Sequence, residues 1–271
     1  MTQRKSDLTE RTIRDFGEEW TKYQRPYEGW ARDQQFLDDI AAPFLDKADL
    51  RGAVVGEIGS GTGPLVEPLF SCGVAHMVAL EPSDAFHVLR RNADKHSANM
   101  TFIHDVGERF PDTPKLDYIF SIGVIHHIPD PSPTLIAARR ALRPGGLMLI
   151  WVYGKEGNEL YLSMVHRLRK FTTVFPHGVL SALCWCLVPP LYVYIRLSQR
   201  FPLPMRHYAR NVLARLNARQ LHILIYDQLN PAYAKYYTRE EIVALMQQAG
   251  FSRVEARHRH SYSWTVAGVA P

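Results

Sequence analysis

Short apolar runs and longer amphipathic ones alternate between residues 52 and 153. Val54 to Ile58, Val74 to Leu80, Met100 to His104, Leu116 to Ile122 and Leu147 to Val152 are rich in large or β-branched apolar residues and are bounded by turn formers. Runs of that length and composition predict buried parallel strands. The intervening segments, Ser132 to Leu142 among them, read as helices, so this region predicts a parallel sheet with helices on both faces. Upstream, Phe36, Leu37, Ile40, Ala41 and Phe44 recur at helical spacing within Asp33 to Leu45. Downstream, Thr238-Arg239-Glu240-Glu241 reads as a capped helix start, and that helix runs to Gln248 and stops at Gly250. Phe251 to Arg257 and Tyr262 to Val269 read as two final strands.

The first strand leads into Gly56-Glu57-Ile58-Gly59-Ser60-Gly61-Thr62-Gly63. Glycines at alternate positions after an apolar run predict a sharp strand-to-helix turn with bare backbone facing a ligand. A dinucleotide fingerprint needs its third glycine at position 64, which is Pro64. Proline suits the first turn of a helix but removes an amide that a pyrophosphate would use there. The second strand ends at Glu81, 18 positions past Gly63, and the third at Asp105-Val106. The fourth is followed by Ile125-His126-His127-Ile128-Pro129-Asp130, and the fifth by Tyr153.

This E-x-G-x-G-x-G turn, with its ordered sequels, resembles the class I S-adenosylmethionine (SAM) methyltransferases, in particular the broad group that includes ubiquinone and menaquinone methyltransferases. The resemblance covers most of residues 52–153 and resumes at 237–269. It implies a Rossmann-like, seven-stranded, mostly parallel sheet with an antiparallel last strand, and SAM as cofactor. It places the cofactor against Glu57, Gly59, Ser60, Gly61 and Gly63, and against Glu81, Pro82, Asp105, Val106 and Ser121. In this pattern Glu57 faces the ammonium, Glu81 both ribose hydroxyls, Asp105 the adenine amino group and the Val106 amide a ring nitrogen. Trp20, Tyr23 and Tyr27 resemble an aromatic segment that lies over the cofactor in relatives. His127 and His126 follow the fourth strand, where relatives place residues that face the methyl group, and Tyr153, closing the fifth strand, is expected to reach the acceptor. Histidine titrates near neutral pH and can accept a proton from an acceptor. No Asn/Asp/Ser-Pro-Pro-aromatic tetrad follows the fourth strand, where Ser121-Ile122-Gly123-Val124 stands; that argues against methylation of nucleobase amines.

The expected organisation is a cap at 1–46, the cofactor-binding core at 47–153, an insertion at 154–236 and a closing helix and hairpin at 237–271. The insertion changes the charge picture. Residues 155–220 hold ten Lys or Arg against two Glu, so this stretch exceeds the +5 net charge of the whole chain. Inside it, Val179 to Leu197 has nearly the length of a membrane span, interrupted by Pro189-Pro190, which predicts a break into two pieces. Basic residues flank it: Arg167, Arg169 and Lys170 before, Arg200, Arg206, Arg210, Arg215 and Arg219 after. These features fit a lid over a small or lipid-like acceptor, or peripheral contact with an anionic membrane. A nucleic-acid partner is not expected, since no RNA-binding module accompanies the arginines. The three cysteines lack metal-ligand spacing, no metal is expected, and a reducing cytoplasm is the expected setting. The function expected is methyl transfer to an oxygen or carbon of such an acceptor. The alternatives are a non-catalytic SAM-binding scaffold and an RNA methyltransferase.

Overall fold

The computed structural model describes residues 2–22, 34–159, 162, 165, 167–168, 172, 175–229 and 233–271. Tyr23, Tyr27, Trp30, Asp33, Arg169, Lys170 and residues 230–232 lie outside the described residues. Seven strands form one sheet: β1 (Val54–Ile58), β2 (His76–Leu80), β3 (Met100–Ile103), β4 (Leu116–Ile122), β5 (Leu142–Tyr153), β6 (Ser252–Arg259) and β7 (Ser263–Val269). Their order is β3-β2-β1-β4-β5-β7-β6. The first five pair in parallel, and β7 pairs antiparallel with both β5 and β6. The expected Rossmann-like sheet is therefore present, with β7 as its antiparallel strand.

The apolar runs are continuous because both faces of the sheet are covered. Successive residues alternate sides, so Val78 and Leu80 enter one core while Met77 and Ala79 enter the other. The first core packs the sheet against α5 (Ser132–Ala141) through Leu135 and Ala138. The second packs it against α2 (Gln34–Ala41), through Leu37 and Ile40. That second core also takes in Val66 and Leu69 of α3 (Val66–Ser71) and Leu89 of α4 (Ala85–Asn92).

The amphipathic segment at 33–45 is helical only to Ala41, and Pro43 follows. The fifth strand begins at Leu142, not Leu147: Leu142 pairs with Leu116, and a register shift then absorbs the Pro144-Gly145 bend. The N-terminal segment is a long helix, α1 (Thr2–Lys22), that the sequence reading did not anticipate.

The segment from 154 to 236 leaves and rejoins the sheet at one place. Gly154 bridges Tyr237 in parallel, the Lys155 amide donates to Tyr237 O (2.9 Å) and the Tyr237 amide to Tyr153 O (3.0 Å). Its described helices are α6 (His177–Arg200), α7 (Arg206–Asn211) and α8 (Ala218–Leu229), followed by α9 (Arg239–Gln248). The break expected at Pro189-Pro190 does not occur; α6 runs through both prolines. Both prolines are exposed. The turns around them are pinned by Leu180, Cys184, Val188 and Ile195, buried against residues of α7, α8 and the turn between them. Packing on that side outweighs the lost backbone donors. At α9 the expected cap forms reciprocally: Glu241 N donates to Thr238 Oγ1 and Thr238 N to Glu241 Oε2.

The N-terminal layer is tied to the far hairpin by charge. Arg259, on β6 and only 3% exposed, binds the Asp39 carboxylate of α2, and Arg259 Nη1 donates to Tyr262 Oη (2.7 Å). His260 Nε2 lies 3.0 Å from the same carboxylate. Burial would raise the Asp39 pKa, but the His260 hydrogen bond and the Arg259 charge outweigh it and hold the carboxyl at about 2, below its usual 3.8. A depressed carboxylate stabilises the fold above its unfolded pKa and stops doing so as pH falls toward its folded one. Asp39→Asn is therefore expected to cost about 2 kcal/mol at pH 7 in urea denaturation. The gap to the parent should narrow from about pH 4 downward; a gap independent of pH would contradict this coupling.

Candidate active site

In this strand order β1 lies between β2 and β4, and the connections run to opposite sides. A crevice opens at the carboxyl ends of the strands at such a switch point. Here it widens into a cavity of about 820 Å³. The cavity is lined on one side by the turns after β1, β2, β3 and β4, and on the other by α1, α7 and α8.

The turn after β1 carries the strongest constraint. Gly59 has φ +76°, and a Cβ there would overlap Val124 of the loop after β4. The glycine lets the two loops close on each other at the crevice floor. Gly61 follows at φ +52°, beneath the Trp20 ring of α1. Its amide donates to Glu81 Oε2 (2.8 Å). Glu81 Oε1 accepts from the Ser83 amide (2.9 Å) and the Ser83 hydroxyl (2.5 Å). Three of about four acceptor positions on that carboxylate are thus filled by the protein. One remains, rather than the two that a pair of ribose hydroxyls would use. Burial raises the Glu81 pKa, and these bonds offset part of the rise.

Glu57 is 2% exposed, and its Oε2 has no hydrogen-bond partner among the described residues. Burial, and then the neighbouring Glu81 charge, push its pKa up to about 8. An acid held in that state favours a cationic ligand group, which would supply both the missing donor and the countercharge. Asp105 Oδ1 accepts from the Val106 amide (2.7 Å) and lies 3.5 Å from Arg109 Nη1.

The loop after β4 turns through Ile125-His126-His127. His127 lines the cavity, and its Nδ1 lies 2.9 Å from the Tyr233 carbonyl oxygen. A carbonyl only accepts, so Nδ1 carries the hydrogen and Nε2 is the nitrogen able to take a proton. The Phe16 ring of α1 meets His127 edge-on at 4.6 Å. Tyr153 also lines the cavity; its hydroxyl accepts from Gln228 Nε2 (2.8 Å), and Gln228 Oε1 accepts from Tyr236 Oη (2.9 Å).

Of the residues singled out from sequence, Glu57, Gly59, Ser60, Gly61, Glu81, Pro82, Asp105, Val106, Trp20, His127 and Tyr153 line the cavity. Gly63, Ser121 and His126 do not. Gly63 packs against Leu89 of α4. Ser121 is fully buried between β4 and β1, its hydroxyl donating to Ile58 O (3.2 Å). His126 is fully buried with its ring 3.9 Å from that of Tyr153. Tyr226 and Tyr237 are core residues, each 2% exposed. Sequence reasoning missed Ile13 and Phe16, which with Trp20 form one stripe of α1, and Gln228 and Arg259. The Ile13, Phe16, Trp20 spacing was a helical signal in plain view; the arginine carried none. Among the described residues no group of three His, Cys, Asp or Glu side chains gathers for a metal ion.

The fold and site define a class of protein, and comparison with known proteins identifies its family. A family model described as "Methyltransferase domain" matches residues 29–256. The chain belongs to this methyltransferase family, whose cofactor is SAM. It is 31% identical over 133 residues to a tRNA U34 carboxymethyltransferase of Pseudoalteromonas translucida, covering 48% of this chain and 40% of that protein. It is 24% identical over 132 residues to a ubiquinone biosynthesis O-methyltransferase of Roseobacter denitrificans, covering 48% and 52%. The chain thus spans about half the length, or less, of these curated relatives. A solved structure of magnesium protoporphyrin IX methyltransferase from Synechocystis, with S-adenosylhomocysteine bound, shares the fold at TM-score 0.52 and 16% identity, over 88% of this chain and 83% of that one.

The residues present fit the sulfonium cofactor in charge: Glu57 offers a buried acidic oxygen with no donor among the described residues, where a cationic group of the cofactor would be matched. Because its folded pKa is raised, Glu57 stabilises the fold fully below about pH 4.5, and that contribution is lost as pH rises through about 8. Glu57→Gln is expected to melt later than the parent at pH 8 and alike at pH 4.5, while binding SAM at least tenfold more weakly by calorimetry. Equal melting at pH 8 would show that the carboxylate carries no such strain.

Proposed function

We propose that this protein transfers a methyl group from SAM to an oxygen, or a carbon, of a small or lipophilic acceptor. One observation carries the reading. A single cavity runs from the glycine turn and Glu81 to the apolar side chains of the insertion, with His127 and Tyr153 lining it between. When bound, SAM supplies a methyl already activated by a sulfonium. Glu57 would hold its ammonium, Glu81 a ribose hydroxyl, and Asp105 with Val106 the adenine edge; Trp20 would cover it from α1.

The protein's remaining task is to align the acceptor and exclude water, which can lower the barrier by several kcal/mol. Phe16, Val212, Leu216, Ile223 and Leu224 supply apolar wall for this. Where the acceptor is a hydroxyl, His127 Nε2 takes its proton, the Nδ1 hydrogen being held by Tyr233 O. Gln228 fixes the Tyr153 hydroxyl beside the reacting edge.

A second reading, an RNA acceptor, is favoured by the tRNA-modifying relative and the basic insertion. The apolar walls weigh against it. A non-catalytic SAM-binding scaffold would bind cofactor without turnover.

Calorimetry with SAM, S-adenosylhomocysteine and NADH comes first: the first two are expected to bind at micromolar concentration and NADH not at all. NADH binding without SAM binding would refute the reading. Glu81→Ala should weaken SAM at least tenfold. Transfer of labelled methyl is then followed with phenolic and lipid acceptors and with bulk tRNA; label in tRNA alone would replace the first reading by the second. His127→Gln should keep its SAM affinity and lose about 10²-fold in kcat on a hydroxyl acceptor. Full turnover by that variant would remove the base but not the methyl transfer.

A further inference from the structure

Helix α6 is apolar on every side from Gly178 to Ile195. A helix of that kind belongs in a core or against lipid. Only one side of α6 is in the core, where Leu180, Cys184, Val188 and Ile195 pack. Its apolar stretch is just 22% buried. On the other side Val179, Leu183, Val193 and Leu197 stand in solvent, Val193 at 60% exposure, and Phe201 continues the stripe at 53%. Among the described residues, every large exposed apolar side chain apart from Ile136 falls between 168 and 201. So concentrated a patch marks an interaction surface.

Charge says what covers it. No Asp or Glu occurs from residue 160 to 226, while nine Lys or Arg do. Arg196 and Arg200 are exposed at the C-terminal end of the stripe, and Arg210 is exposed on α7. A second copy of the chain would set like charges against each other, whereas the headgroups of an anionic bilayer complement them. The exposed Trp185 and Tyr192 suit the boundary between headgroup and acyl chain.

We infer that the outer face of α6 is a membrane-docking surface: the helix lies in the interfacial plane of an anionic bilayer, with Val193, Leu197 and Phe201 inserted and the arginines at headgroup level. The inner side of α6 packs on α7 and α8, which line the cavity, so docking would set that cavity next to the lipid. The surface and the methyl-transfer reading stand or fall separately.

The test is flotation of the 271-residue chain with vesicles of phosphatidylcholine alone or with about 30% phosphatidylglycerol. The parent is expected to float with the anionic vesicles and at least tenfold less with the neutral ones. Val193→Asp combined with Leu197→Asp should lower partitioning at least tenfold on both. Arg196→Gln combined with Arg200→Gln should lower it about tenfold on anionic vesicles only. These positions are exposed, and unchanged melting and SAM affinity would confirm that the variants are folded. A parent that binds neither vesicle overturns the proposal. So does a parent that sediments as a dimer which the double aspartate variant dissociates, since the face would then join two copies.

Discussion

Two carboxylates buried at the ends of adjacent strands govern the architecture of the site. Glu57 and Glu81 sit where β1 and β2 run out, each almost wholly removed from water. Such groups are tolerated only if protonated, hydrogen-bonded or matched by a cation. The chain treats them differently. Glu81 is anchored by three protein donors and itself braces the glycine turn through Gly61. Glu57 keeps one oxygen without a donor among the described residues, and burial together with the Glu81 charge raises its proton affinity. Glu81 therefore shapes the pocket, and Glu57 stores an electrostatic cost that a bound cation would relieve.

The other half of the cavity comes from a segment inserted between β5 and α9. Its ends meet at Gly154 and Tyr237, so the inserted helices add a wall without disturbing the sheet register. Gln228 then couples this wall to the core by bonding both Tyr153 of β5 and Tyr236 of the return segment. Turns of the sheet line one side of the cavity and the insertion the other; on the proposed reading the first would hold the cofactor and the second would select the acceptor. Curated relatives with different acceptors match only about half of this chain, which accords with a shared core and variable additions.

Much of this was legible in the sequence where local pattern and burial coincide. The five parallel strands, the glycine turn, the acids at the strand ends and the Thr238 cap all rest on contiguous residues, and each was readable. Where tertiary packing decides, reading failed. Pro189-Pro190 signals a broken helix locally, but the buried side of α6 holds the helix together. Ser121 looks like a strand-end site residue, yet Ile58 O claims its hydroxyl from the neighbouring strand. The Asp39–Arg259 pair joins residues 220 positions apart and left no local trace.

His127 is the point where these separate parts converge. The β4 loop supplies its backbone, the return from the insertion supplies the Tyr233 carbonyl that sets its tautomer, and α1 supplies Phe16 against its ring. The adjacent His126 carbonyl receives the Lys235 amide (2.8 Å), so the same return segment clamps both residues. Were His127 the base proposed above, it would be oriented by elements that also line the cavity, so that any rearrangement of α1 or of residues 233–237 would alter substrate access and proton acceptance together. On the proposed reading, ordering of the cap and the insertion around a bound acceptor, rather than the identity of the histidine alone, would make Nε2 an effective base.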